Sequence, residues 1–152
     1  TPCGTLFPYT TLFRSLMCEE GAIQIQWNKS IPEFMENMAE YTMGVLKDKT
    51  GKVFNINFIT DVSPACDCMP VSDAPIVADI GVCASVDPVA IDQACADLVN
   101  SQHAAPGSSL TVNTRPGEDK FKGLYPKVDW ELQLIYAQKL GLGTREYALV
   151  KI

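Results

Sequence analysis

Positive charge, histidine and uninterrupted apolar stretches are all scarce in this chain of 152 residues. Lys and Arg total 12 against 18 Asp and Glu, a formal net charge of -6, which argues against the clustered basic surface that nucleic acid or anionic lipid requires. Neither nucleic acid nor a membrane is expected as a partner. Asn, Asp, Lys or Gln interrupts every hydrophobic run before it reaches the roughly 18 apolar residues of a membrane-spanning helix. The one histidine, His103, stands in a Ser/Ala/Pro segment with no fixed triad partner nearby. No Walker lysine, G-x-S-x-G or H-E-x-x-H is present, and Gly141-x-Gly143 lacks the third glycine of a dinucleotide fingerprint. Six cysteines are too few for a disulfide-built miniprotein. Lying in and around apolar segments, they point to reduced thiols and a cytoplasmic location.

What remains is the composition of one globular domain, with 47% hydrophobic and 20% charged residues. Residues 1–15 have neither the basic start nor the unbroken apolar run of a signal peptide. Residues 5–15 instead read, codon for codon, as the conceptual translation of a short-read sequencing adapter, so Cys3, Tyr9 and Arg14 are set aside as one sets aside a fusion scar. On this reading the natural protein begins upstream of Leu16, and the chain is the back end of something longer.

Beyond Leu16 the hydrophobic period alternates between helix and strand, the signature of layered α/β architecture. Ser30 and Glu33 form a capping box with Pro32 between them, and Phe34, Met38, Tyr41 and Val45 make a helical stripe ending near Lys47. Residues 52–60 predict a strand whose Phe54, Ile56 and Phe58 meet a core while Asn55 and Asn57 present amides on the other face. Residues 76–85 predict a second strand of the buried parallel type. Asp87-Pro88 caps a helix with Ile91, Ala94, Cys95, Leu98 and Val99 as its buried stripe, stopping near Asn100. Residues 101–123 carry no period and read as a long surface connection. Asp129 caps a last helix over residues 130–140, closed by Gly141 and Gly143, and residues 146–152 predict a final strand. The expected fold is α/β, a mixed or mostly parallel sheet flanked by helices and incomplete.

Two cysteine settings carry candidate chemistry. Cys18, in Met-Cys-Glu-Glu-Gly-Ala-Ile-Gln-Ile, resembles the closing cysteine of a bacterial-type ferredoxin module, where Cys-Pro-x-Gly-Ala-Ile leads into a strand. Glu19 replaces the usual proline, and no cysteine run at C-x2-C-x2-C spacing precedes it, so Cys18 alone cannot build a cluster. Cys66-Asp67-Cys68, with Asp61 before it and Asp73 after, places two soft sulfurs and several carboxylates beyond a strand, a composition that suits a transition metal. The same tripeptide also fits a turn with two reduced thiols, one packed inward, and the residues leave both readings open. Cys83 and Cys95 fit small core hydrophobes. Asp87 and Asp92 fit a helix cap and an early-turn acid, and a carboxylate pair at that spacing can also face a ligand.

The segments Val-Phe-Asn-Ile-Asn-Phe-Ile-Thr-Asp-Val-Ser-Pro-Ala-Cys-Asp-Cys and Ser-Asp-Ala-Pro-Ile-Val-Ala-Asp-Ile-Gly-Val-Cys-Ala-Ser-Val-Asp-Pro-Val-Ala-Ile-Asp-Gln-Ala, with the closing Asp-Trp-Glu-Leu-Gln-Leu and Gly-Leu-Gly-Thr-Arg-Glu-Tyr, resemble the C-terminal part of the domain of unknown function 362 family. The resemblance implies an iron-sulfur protein in which an α/β domain is joined to a ferredoxin-like module. It assigns no reaction. Residues 16–27 then read as a remnant of that module and residues 28–152 as the C-terminal part of the α/β domain. A [4Fe-4S] cluster of the complete protein would use Cys18, this chain by itself is expected to hold none, and electron transfer with a redox partner protein follows. The alternative expectation is a metal- or ligand-binding enzyme domain, with Cys66, Asp67, Cys68 and Asp73 as metal ligands and Asn55, Asn57, Asp61 and Asp87 as pocket residues.

Overall fold

Asp87 and Pro88 set the position of the central helix. In the computed structural model, which describes residues 30–65 and 73–152, the Asp87 carboxylate accepts hydrogen bonds from the backbone N–H groups of Val89 and Ala90, both at 2.9 Å. Pro88 occupies the first turn, where its missing N–H leaves no bond unmade. The described elements run α1 (Ile31–Leu46), β1 (Asn55–Ile59), β2 (Gly81–Ser85), α2 (Pro88–Asn100), α3 (Lys120–Leu124) and α4 (Glu131–Lys139). All belong to one unit, Ile31–Ile152.

Helix α2 is its centre, touching β1, β2 and α4. Ile91, Ala94 and Val99 are buried as expected, and Val89, Ala90, Gln93 and Ala96 are buried as well, so the helix is covered on most sides. One core gathers Ile59, Ile76, Val77, Val99 and Leu110; a second gathers Ala39, Val89, Leu134 and Ala137 between α1, α2 and α4. In that second core alanines on α1 and α4 let the helices approach closely. The expected stripe of α1 therefore lies elsewhere: Phe34, Met38, Tyr41 and Val45 are all exposed, Tyr41 at 80%. Ala39 does the packing in their place.

The architecture is mixed α/β, but the strand pairing differs from expectation. β1 and β2 are antiparallel, with Asn55 opposite Ser85, Asn57 opposite Cys83 and Ile59 opposite Gly81, and they form a sheet of two strands among the described residues. The second strand is also shorter than expected, since Ile76 and Val77 are buried without joining a ladder. A short apolar run reads alike in either strand direction. Its faces are inverted too. Asn55, Asn57 and Ile59 turn toward α2, whereas Ile56 and Phe58 are 53% and 72% exposed, beside an equally outward Val82. The inward amides are tolerable because each has a polar partner, that of Asn57 on α2 and that of Asn55 at the end of β2.

Residues 101–123 are not a surface connection. Leu110 is in the core, and backbone bonds run from Ala104 N–H to Thr114 O at 2.9 Å, from Ala105 N–H to Ile76 O at 2.8 Å and from Gly117 N–H to Asn100 O at 2.7 Å. At their centre Lys120 is completely buried. Its ammonium donates to the carbonyl oxygens of Asn100 at 3.1 Å, Arg115 at 2.8 Å and Glu118 at 3.2 Å, using all three of its donors. Such a segment shows no hydrophobic period because carbonyls around one cation organise it. Helix α4 starts at Glu131 without a side-chain cap, and Asp129 instead lies 3.6 Å from Lys122. No ladder forms over residues 146–152. That stretch follows α2, held by Arg145 to Gln93 at 2.7 Å and by Tyr147 to Asp97 at 2.8 Å.

Candidate functional site

The connection leaving β1 is fastened at its base. Ile80 N–H donates to Ile59 O at 2.9 Å and Ile76 N–H to Val62 O at 2.8 Å. Ile76 and Val77 are buried at one end, and the Tyr125 hydroxyl donates to Pro64 O at 2.7 Å at the other. Asp61 sits in this base at φ 49, a left-handed conformation that short polar side chains tolerate, and its N–H donates to an Asp79 carboxylate oxygen at 2.9 Å. Asp73 is exposed, its carboxylate accepting from the N–H of Ala74 at 2.7 Å. Cys66, Asp67 and Cys68 fall within this connection and, like Cys18, lie outside the described residues. Among the described residues no three His, Cys, Asp or Glu side chains are grouped to hold a metal ion. Asp61 and Asp79 meet through the bond from the Asp61 N–H, whereas Asp73 bonds only its own neighbour Ala74.

The candidate pocket residues divide among three places. Asn55 and Asp87 come together at one end of the strand pair: Asn55 donates to Ser85 O at 3.2 Å, and Asp87 N–H donates to Ser85 Oγ at 3.0 Å. The second carboxylate oxygen of Asp87 accepts from Thr144 N–H at 3.0 Å, and a Cβ added at Gly143 would collide with that carboxylate. Asp87 is occupied as a structural joint. Asp61 lies six residues along from Asn55, roughly 20 Å of extended strand away.

Between them, on the face toward α2, Asn57 donates to Asp92 Oδ1 at 2.9 Å and to Cys95 Sγ at 3.6 Å. Burial pushes the Cys95 thiol up to about 11; the Asn57 hydrogen bond opposes that, and Cys83 and Asp92 add to it. Such a sulfur keeps its proton at neutral pH. Cys83 and Cys95 are both free and half-buried, packed against the first core as small apolar groups yet touching polar ones. His103 is exposed on the segment after α2. Sequence reading missed Asp79, Lys120 and Tyr147. None of the three offered a local signal, because Asp79, Lys120 and Tyr147 all act through tertiary contacts.

A family model described as a domain of unknown function (DUF362) matches residues 14–97, more than half of the chain. The chain belongs to that family. The match takes in both strands, the connection between them with its cysteines, and most of α2, so the DUF362 region contains the loop base and the amide-thiol face alike. No curated protein and no solved structure matches this DUF362 chain. Among the described residues no helix is long and apolar enough to cross a membrane.

Proposed function

We propose that this chain is the α/β body of an iron-sulfur protein that carries electrons, a [4Fe-4S] centre of the complete protein exchanging them with a site at the Cys66-Asp67-Cys68 loop. The fastened base of that loop carries the reading: Ile76 N–H to Val62 O and Tyr125 to Pro64 O hold the segments on either side of the loop, and Asp61 N–H to Asp79 closes its base. Firm anchoring of the segments on both sides of the loop suits a centre whose geometry must not relax between oxidation states.

A [4Fe-4S] cluster takes four thiolates. Cys83 and Cys95 face α2 and the sheet, and Cys3 belongs to the segment read as adapter, which leaves Cys18, Cys66 and Cys68. Three thiols do not complete such a cluster, so this chain's own residues do not fit one unaided, and Cys18 would serve beside thiolates from elsewhere in the complete protein.

The test uses the complete protein purified without oxygen. Iron and sulfide in stoichiometric amount, visible absorbance bleached by dithionite, and loss of both in Cys18→Ala support the reading. A protein with neither iron nor sulfide overturns it. Metal that survives Cys18→Ala but disappears in Cys66→Ala and Cys68→Ala points instead to a metal-dependent enzyme site at the loop.

A further inference from the structure

Cys83 and Cys95 approach one another across the contact between β2 and α2. Asn57 is the strand partner directly opposite Cys83, and its amide donates to Cys95 Sγ at 3.6 Å. Directly opposed strand residues hold their Cβ atoms about 4.5–5.5 Å apart, so the sulfur that Asn57 binds lies beside the Cys83 side chain. Cys83 in turn acts on the Cys95 thiol through hydrogen bonding and charge. Both cysteines are half-buried, and one of them reaches a cavity. Cys83 lines a cavity of about 370 Å³ whose other walls include Ser85, Ala90, Ala94, Tyr147 and Leu149. Thiols serving only as packing would have apolar neighbours and no route to solvent. These two have Asn57, Asp92 and Tyr147 around them, and Cys83 opens to the cavity.

We propose that Cys83 and Cys95 are a reversible dithiol, closed to an intramolecular disulfide by a low-molecular-weight disulfide that enters the cavity beside β2. Cys83, the thiol that lines the cavity, gives its proton to solvent and attacks one sulfur of the incoming disulfide. That sulfur stays bonded to Cys83 as a mixed disulfide, the small molecule's S–S bond breaks, and its other sulfur departs as a thiolate that takes up a proton. Cys95 then attacks the Cys83 sulfur of the mixed disulfide, and its proton goes to the second departing thiolate. The pair gives up two electrons and two protons, and the small disulfide is reduced to two thiols. The new bond draws α2 onto β2 and locks the amide-thiol face. Excess small thiol reverses each step.

The experiment treats the full chain with oxidised glutathione, then maps disulfides by proteolysis and mass spectrometry, with Cys66→Ala/Cys68→Ala as a background that removes competing loop thiols. The expected result is a peptide pair joined through Cys83 and Cys95, two hydrogens lighter than the free peptides, separated again by dithiothreitol and accompanied by a higher thermal midpoint. In Cys95→Ser, glutathione should remain attached to Cys83; in Cys83→Ser, Cys95 should stay unmodified. Circular dichroism of both variants establishes that they fold. A persistent glutathione adduct on Cys83 in the chain that retains Cys95, or both thiols left free after prolonged treatment, overturns the proposal.

Discussion

The hydroxyl of Tyr125 donates to the backbone carbonyl of Pro64 across 61 positions of sequence, at 2.7 Å. This single bond ties the stretch after α3 to the connection that carries Cys66 and Cys68. Tyr125→Phe should lower stability by about 0.5–1.5 kcal/mol, the net worth of one such bond. It should also raise the rate at which Cys66 and Cys68 react with a thiol reagent. Urea unfolding and site-resolved labelling measure the two effects; unchanged labelling would detach Tyr125 from the candidate site.

Lys120→Met keeps the volume of the side chain but removes three donors at once. The carbonyls of Asn100, Arg115 and Glu118 would each lose a partner inside the fold. A loss on the order of 3 kcal/mol is expected, read as a drop in urea midpoint, with proteolysis beginning within residues 101–119.

Cys95 and Tyr147 predict alkaline sensitivity. Burial is the leading cause of both shifts, raising Cys95 from 9.0 to about 11 and Tyr147 from 10.0 to about 12. The charged and titratable neighbours are Cys83 and Asp92 for Cys95, with Asp97 and both thiols for Tyr147. Each group binds its proton more tightly folded than unfolded. Its contribution is therefore whole below the unfolded value and is lost as pH climbs through the folded one, between 9 and 11 for Cys95 and between 10 and 12 for Tyr147. Lys120 works in the opposite sense, because burial lowers it from 10.5. Tyr147→Phe should flatten the fall above pH 10, as followed by thermal midpoints across a pH series.

Gly143→Ala tests the joint at Asp87. The added methyl has no room against the carboxylate, so the chain must retreat and break the bond from Thr144 N–H. Overpacking of this kind costs about 1–3 kcal/mol. Residues 144–152 should become the first site of limited proteolysis.

Phe58→Ser and Asn57→Leu should rank opposite to their hydrophobicities. Phe58 is 72% exposed, and replacing it should cost less than about 1 kcal/mol. Asn57→Leu removes the donor to Asp92 and Cys95 from the half-buried face against α2 and should cost more. Equilibrium denaturation of both variants settles the order.

That inversion marks how far the sequence could be read. Helix α2 was legible because Asp87 and Pro88 act locally through their own cap and ring, and α1 and α4 were legible from spacing. Alternation in β1 showed two faces, but which one turns inward depends on what α2 offers, and it offers Asp92 and a thiol. The packing role of Ala39 was hidden because its advantage is a close helix approach and not hydrophobicity. The layer after α2 was hidden because Lys120 orders it through carbonyls with no period to detect. Of the site residues, Asn57 was found by its oddity on a strand. Asp79 gains its meaning only once Asp61 turns back against it.

The buried ammonium of Lys120 does the work that a bound potassium or calcium ion does in other proteins, drawing distant stretches of main chain around one positive centre. Being covalently attached, it cannot be stripped by a chelator or exchanged for a wrong metal. The segment it gathers should keep its shape in EDTA and across any change in cellular ion supply.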